Sequence, residues 1–290
     1  MRFAEGIEEM LRVSDTFSDE LEAARFWKVG ADAVHSIEDL MYRGGAGQDQ
    51  RARLYRCGPG SAPVLVFIHG GGWYSGTIEM NERACCAYAA QAGCHVASLS
   101  YRLAPANPFP AGLEDCMAAV SWLQEAGVEG LDTTRMAIGG PSAGANLALA
   151  TAQSLPRDTF RAVLLFYGIY GNNTDLPSYK EYANGPVITR DGVEAVFEMY
   201  DPGARHRNDP RLAPLLGDLS GLPPVLSVAA EFDVLTDENE VLAQALAKAG
   251  VETEAWTEPG TVHGFINRGR LVPAADKCLS RSAEFLRARL

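Results

Sequence analysis

The sequence has no apolar run long enough to cross a bilayer, although 47% of its 290 residues are hydrophobic; a helical span needs about 20 such residues in succession. Its first residues, Met1-Arg2-Phe3-Ala4-Glu5, lack the basic-then-apolar order of a secretory leader. The expectation is a cytoplasmic protein with no membrane partner. Basic clusters are missing as well. With a formal net charge of −12, nothing can supply the counterion release that drives phosphate-backbone binding, which excludes nucleic acid as a partner. The six cysteines, Cys57, Cys85, Cys86, Cys94, Cys116 and Cys278, show neither C-x-x-C pairing nor regular spacing. They read as reduced thiols in a cytoplasmic chain rather than a disulfide framework. H-E-x-x-H and the Walker loop are both absent, so neither a metal nor a cofactor is expected.

What is present alternates between strand and helix. The stretch from residue 1 to about 45 reads as an amphipathic helical segment with Phe17, Leu21, Phe26 and Val29 as apolar anchors, closed by the turn Gly44-Gly45-Ala46-Gly47. Residues 46–290 then form one catalytic-sized domain. Strands are expected at Arg51–Cys57, Val64–Ile68, His95–Tyr101, Met136–Ile138, Ala162–Phe166, Val225–Ala230 and Val251–Trp256. Helices follow at Glu82–Gln91, Gly112–Glu125, Asp237–Ala249 and Ala274–Leu290. That order implies a mostly parallel sheet covered by helices on both faces. One connection, Gly171–Pro214, is too long for an ordinary loop and rich in apolar residues. It is expected to complete the core and to contribute a lid, with Thr189 capping a short helix that ends near Tyr200.

The centre of the chain is Gly140-Pro141-Ser142-Ala143-Gly144, set between Met136-Ala137-Ile138 and the helix-prone Ala145–Ala150. Strand, sharp turn and helix, with serine at the apex, is the order a nucleophile elbow needs. Glycines on either side spare the Cβ atoms that would clash where strand and helix pass the turn. A second motif, His69-Gly70-Gly71-Gly72-Trp73, directly follows an apolar strand. Successive glycines there expose backbone N–H groups, so Gly71 and Gly72, with the N–H of Ala143, form a candidate three-donor oxyanion hole.

A serine nucleophile needs a base, and the base needs an acid to hold its tautomer. Asp233 falls at the carboxyl end of one late strand and His263 just beyond the next, the end at which open parallel sheets bind ligands. Ser142, Asp233 and His263 thus follow the chain order of an α/β-hydrolase triad. Of the five histidines, His35, His69, His95 and His206 fit the role of base poorly. Asp237 and Glu238, rival acids beside Glu258, read as first-turn helix residues. Trp73, next to the oxyanion glycines, is a candidate wall of the acyl pocket. Tyr101 and Arg102 read as braces beneath the site.

These motifs, with Tyr101-Arg102-Leu103-Ala104-Pro105, Pro108-Phe109-Pro110-Ala111, Asp218–Pro224, Glu231–Leu235 with Asp237-Glu238, and His263-Gly264-Phe265, resemble the bacterial hormone-sensitive-lipase-like esterases of the α/β-hydrolase superfamily. The resemblance runs from about Ala62 to the C-terminus. It implies the same triad and oxyanion hole, a cap built from the N-terminal helices, and short acyl esters as substrates. Two positions depart from the family pattern: Pro141, usually acidic or small and polar, and Val234, usually proline. Proline lacks an N–H and fixes φ, so any hydrogen bond from position 141 is lost.

The expected activity is therefore cofactor-free hydrolysis of a small-molecule ester through an acyl-enzyme. An amidase or deacylase on the same triad is the alternative. A non-catalytic ligand-binding protein, as in the gibberellin receptors of this fold, is disfavoured by the intact His263. A homodimer formed through the last strand and helix is compatible with the sequence.

Overall fold

A computed structural model describes residues 1–125 and 127–290. In chain order the elements are α1 (Ile7–Ser14), α2 (Glu20–Trp27), β1 (Ser36–Arg43), β2 (Asp49–Arg56), β3 (Ala62–Ile68), α3 (Glu82–Ala92), β4 (His95–Leu99), α4 (Ala111–Glu125), β5 (Leu131–Pro141) and α5 (Ala143–Ser154). They continue with β6 (Ala162–Phe166), α6 (Pro177–Glu181), α7 (Arg190–Tyr200), β7 (Val225–Phe232), α8 (Thr236–Lys248), β8 (Thr253–Val262) and α9 (Pro273–Arg287).

The eight strands form one sheet in the order β1-β2-β4-β3-β5-β6-β7-β8. β1, β2 and β4 pair antiparallel, and every pairing from β4 through β3 to β8 is parallel. Every residue of β3 is buried, as its unbroken apolar sequence requires for a strand covered on both faces. Leu113, Leu147, Leu149, Leu242 and Leu246 of α4, α5 and α8 pack in the core on one face. Ala84 and Tyr88 of α3, Cys278 and Leu279 of α9, and Ile7, Met10 and Trp27 of α1 and α2 pack in the core on the other.

The N-terminal reading needs correction. Residues 36–43, expected within the helical cap segment, are a strand hydrogen-bonded to β2 in register from Ser36↔Arg56 to Arg43↔Asp49. This strand is at the sheet edge and mostly exposed, with only Tyr42 fully buried, so its sequence carries no apolar run to betray it. The turn at residues 44–47 closes a β-hairpin rather than a helical segment. The apolar anchors also differ from those expected. Leu21 and Val29 are exposed, whereas Ile7, Met10, Ala23, Ala24 and Trp27 are buried.

Two short helices hold the long connection between β6 and β7. Thr189 Oγ1 accepts from Gly192 N at 3.0 Å and caps α7 as expected.

Candidate active site

The three chemical side chains all leave the carboxyl ends of paired strands. Pro141 is the last residue of β5 and stands opposite Phe166 of β6; the next backbone N–H, that of Ser142, donates to Phe166 O at 2.8 Å. On the other side of β6, Phe232 pairs with Val262 after a register shift between Ala230 and Phe232. Gly260 N donates to Glu231 Oε2 there at 2.6 Å. Asp233 and His263 are the residues immediately beyond that last rung, so strand pairing delivers carboxylate and imidazole side by side.

His263 Nε2 lies 2.9 Å from Ser142 Oγ, and His263 Nδ1 lies 2.7 Å from Asp233 Oδ2. The second carboxylate oxygen of Asp233 accepts from Leu235 N at 3.0 Å. Asp233 is buried behind the imidazole. The Tyr167 ring, 4.9 Å from that of His263, packs against it from the side. Among the other histidines, His95 bonds to Cys57 N and Gly60 O, and His206 Nδ1 faces Asp201.

Ser142 has φ 56° and ψ −125°, a backbone state that costs a non-glycine residue about 1–3 kcal/mol. The flanking glycines allow it. A Cβ on Gly140 would stand 2.3 Å from Ile68 O, and one on Gly144 2.1 Å from the same atom. Both chain ends of the elbow therefore press against the end of β3, which is where the glycine loop begins. A Cβ on Gly70 would come within 3.2 Å of Ser142 Cβ, so this loop runs alongside the serine. Gly71 and Gly72 have φ 110° and 58°, and Gly71 O accepts from Ser75 N and from Ser75 Oγ, each at 3.0 Å.

His69 braces the loop from below. Its Nδ1 is 2.7 Å from Gly70 O. Its ring stacks on Tyr101 at 4.3 Å, and Tyr101 Oη donates to His69 O at 3.0 Å. Burial pulls the His69 pKa down to about 4, keeping it neutral. Arg102 turns away and pairs with the buried Asp115 at 2.9 Å. Tyr101 thus braces the loop, as expected, whereas Arg102 is tied to the following helix through Asp115, Ala111 O and Glu114.

Ser142, His263, Gly71, Gly72, Ala143 and Trp73 line one cavity of about 590 Å³, with Asp233 behind its wall. On one side the wall is Trp73, Ile169, Val193, Val196 and Leu235. Trp73 is held there by stacking on Tyr200 at 4.5 Å, nearly parallel. On the other side Met10, Leu11 and Met80 meet the polar side chains of Asn81, Asn267 and Arg268. Sequence reasoning missed this second wall. The spacing of Ile7, Met10 and Leu11 was a usable helical signal, but nothing local marks the three polar residues.

Glu238, set aside as a first-turn helix residue, is fully enclosed and ties the long connection to the core. Its carboxylate accepts from the N–H groups of Tyr170 and Gly171 and from Tyr179 Oη at 3.1 Å. Burial raises its pKa to about 7 despite those donors. None of the hydrogen bonds among the described residues joins it to His263. At the two departures from the family pattern, Pro141 lines the cavity, and Val234 is buried with its carbonyl accepting from Ser178 Oγ at 2.7 Å.

A sheet of this topology, with a serine turn at the end of its central strand, defines the α/β-hydrolase fold. A family model described as an alpha/beta hydrolase fold matches residues 65–267. Carboxylesterase NlhH of Mycobacterium tuberculosis is 40% identical over 237 residues, covering 79% of this chain and 74% of that protein. An ethyl acetate hydrolase of Pseudomonas putida is 32% identical over 271 residues, with 90% and 85% covered. Among solved structures, a hyperthermophilic esterase from the archaeon Pyrobaculum calidifontis superposes with a TM-score of 0.92 at 29% identity, covering 99% of each chain. The chain belongs to the hormone-sensitive-lipase-like esterases of the α/β-hydrolase superfamily and is a carboxylic ester hydrolase.

Proposed function

We propose that the enzyme hydrolyses short-chain acyl esters through a Ser142–His263–Asp233 triad and an acyl-enzyme. The observation that carries this reading is the continuous relay from Ser142 Oγ to His263 at 2.9 Å and from His263 to Asp233 at 2.7 Å. His263 takes the serine proton as Oγ attacks the ester carbonyl. Asp233 holds the imidazole in the tautomer whose Nε2 can accept, and steadies the imidazolium that forms. Negative charge gathers on the carbonyl oxygen against the N–H groups of Gly71, Gly72 and Ala143, and donors fixed before reaction stabilise it without reorganising. His263 then protonates the departing alcohol. Water, activated by the same imidazole, releases the acid and restores the serine.

Short acyl groups suit the apolar wall, where Trp73 is pinned by Tyr200 and cannot swing aside without breaking the stack. Relatives named for acetate esters favour the same substrate class. The connection at residues 171–214 and the N-terminal helices complete this reading as the cap, since both contribute to the cavity lining. A cytoplasmic location belongs to the same reading, supported by six thiols that are all free.

The test compares wild type with Ser142→Ala on p-nitrophenyl esters from acetate to decanoate, with the matching acetanilide alongside. Turnover should fall with chain length and drop by about five to six orders of magnitude in the variant, whose circular dichroism stays native. Asp233→Asn should cost about 10⁴-fold. Activity retained by Ser142→Ala would remove the nucleophile assignment, and anilide cleavage rivalling the ester would make the enzyme an amidase.

A further inference from the structure

The cavity wall opposite Trp73 carries polar atoms that the hydrolysis of a plain alkyl ester leaves unused. Arg268 has no carboxylate within 4.0 Å among the described residues, and none of the described hydrogen bonds involves its side chain. Its Nη1 is buried without a partner. Its guanidinium rests over the Trp27 ring, 4.5 Å from the centroid. Next to it, Asn267 Nδ2 donates to Asn81 Oδ1 at 2.8 Å. That single bond leaves Asn81 Nδ2 and Asn267 Oδ1 buried and unpartnered. Turning both amides over would still leave one NH₂ group and one oxygen unmatched. Asn81 and Asn267 are 2% and 7% exposed.

Arg268 is part-buried, and a guanidinium with one enclosed, unpartnered nitrogen and no counter-charge is costly unless something pairs with it. Burial lowers the Arg268 pKa to about 10, which still leaves it charged at neutral pH. Around it the wall is Met10, Leu11 and Met80, a low-dielectric setting in which an ion pair gains strength. The acids nearest the opening, Asp15 and Glu20, line the rim but are exposed to screening solvent. Glu20 is already engaged by Gly76 N at 2.9 Å. Arg268 follows His263 by five residues on the same loop, and Tyr167 packs beside that imidazole, so this polar wall adjoins the catalytic base.

We propose that Arg268 and Asn81, the latter oriented by Asn267, form a subsite for a carboxylate carried by the ester substrate, with Ser142 attacking the ester carbonyl a short arm away. The inference rests on the esterase reading above and narrows its substrate class to monoanionic esters of short acids or alcohols. A planar guanidinium meets a carboxylate through two parallel hydrogen bonds, and the Asn81 NH₂ supplies a third donor.

Two matched pairs test it. On the acyl side, p-nitrophenyl hemiglutarate is compared with p-nitrophenyl 5-methylhexanoate, in which an isopropyl group replaces the carboxylate. On the alcohol side, 4-acetoxybenzoate is compared with 4-isopropylphenyl acetate. One of the two anionic esters should exceed its neutral partner in kcat/KM by about tenfold or more, chiefly through KM. Arg268→Met should collapse that ratio, and Arg268→Lys, which keeps the charge but not the fork, should restore only part of it. Neither anionic ester being preferred by the wild type would overturn the proposal. So would a loss in Arg268→Met that is equal for both members of a pair, since that marks a guanidinium serving only to seat Trp27. Without any variant, glutarate or benzoate should inhibit wild-type hydrolysis of p-nitrophenyl acetate competitively while the matching neutral amide does not. Equal inhibition by both would also refute the subsite. Failure of Ser142→Ala to abolish turnover would instead strike the triad and leave these ratios to be judged separately.

Discussion

Ser142 shows how much strain a single residue can hold when its neighbours over-determine it. Its positive φ is fixed by a hydrogen bond from its own N–H to β6 and by two glycines pressed against Ile68 O. Two buried titratable residues behind the site act in opposite directions on stability. His69 is neutral in the fold, its pKa down from 6.5 to about 4, so between these values the unfolded chain binds more protons and stability rises with pH. Glu238 has its pKa up from 4.5 to about 7, so the folded chain binds more protons there. Its contribution is full below 4.5 and is lost as pH rises through 7. From pH 4.5 to 6.5 these two slopes oppose each other, and His95, whose pKa burial also lowers, adds to the His69 side. Glu238→Gln removes the Glu238 slope, so the variant's stability should rise with pH by up to about 1.4 kcal/mol per unit more than that of wild type. Urea midpoints at the two ends of that range decide it. A level profile in the variant would mean that His69 is not the neutral, buried group described here.

Among the elements, the close pass of β3, β5 and α5 is the constraint that bears most directly on the site. Ile68 O lies where a Cβ on either Gly140 or Gly144 would fall, and contact with backbone rather than a flexible side chain leaves little room to yield. Gly144→Ala should cost at least the usual 1–3 kcal/mol or so of an overpacked site. It should lower activity further, because separating β3 from α5 moves Gly71 and Gly72 away from Ala143. Chemical denaturation and kcat measured together would check this. A variant with normal kcat would show that the loop and elbow are not mechanically joined. The missed strand is a lesson at the same scale. Residues 36–43 are held by pairing to β2 and bury little, so periodicity could not distinguish them from a polar helix.

For the whole molecule, the decisive arrangement is the N-terminal segment folded back over α3, α9 and the cavity. Trp27 is buried against that face and takes the Arg268 guanidinium on its ring. Arg83 holds the segment's end through Val29 O at 2.8 Å while its other nitrogens pair with Asp276 of α9. Trp27→Ala should cost about 3–5 kcal/mol and make Lys28, at the end of α2, more open to trypsin. Unchanged cleavage and unchanged stability would show that the segment is anchored elsewhere. No helix among the described residues is long and apolar enough to cross a membrane.

The sequence by itself determined the alternating sheet, the serine elbow and the chain order of serine, aspartate and histidine. Each of these rests on local chemistry: glycine where a Cβ cannot fit, β-branched runs where both strand faces are covered, and titratable residues at strand ends. Only the tertiary structure decided the rest. Asn267 and Arg268 are separated from Asn81, Met10 and Trp27 by most of the chain, and what makes the three polar residues notable is the lack of partners around them. Glu238 likewise has an ordinary helical sequence position, and its raised pKa comes from burial that outweighs the donors of Tyr170, Gly171 and Tyr179. Desolvation and unmet hydrogen bonds belong to neighbours brought together in space, so no pattern along the chain can carry them.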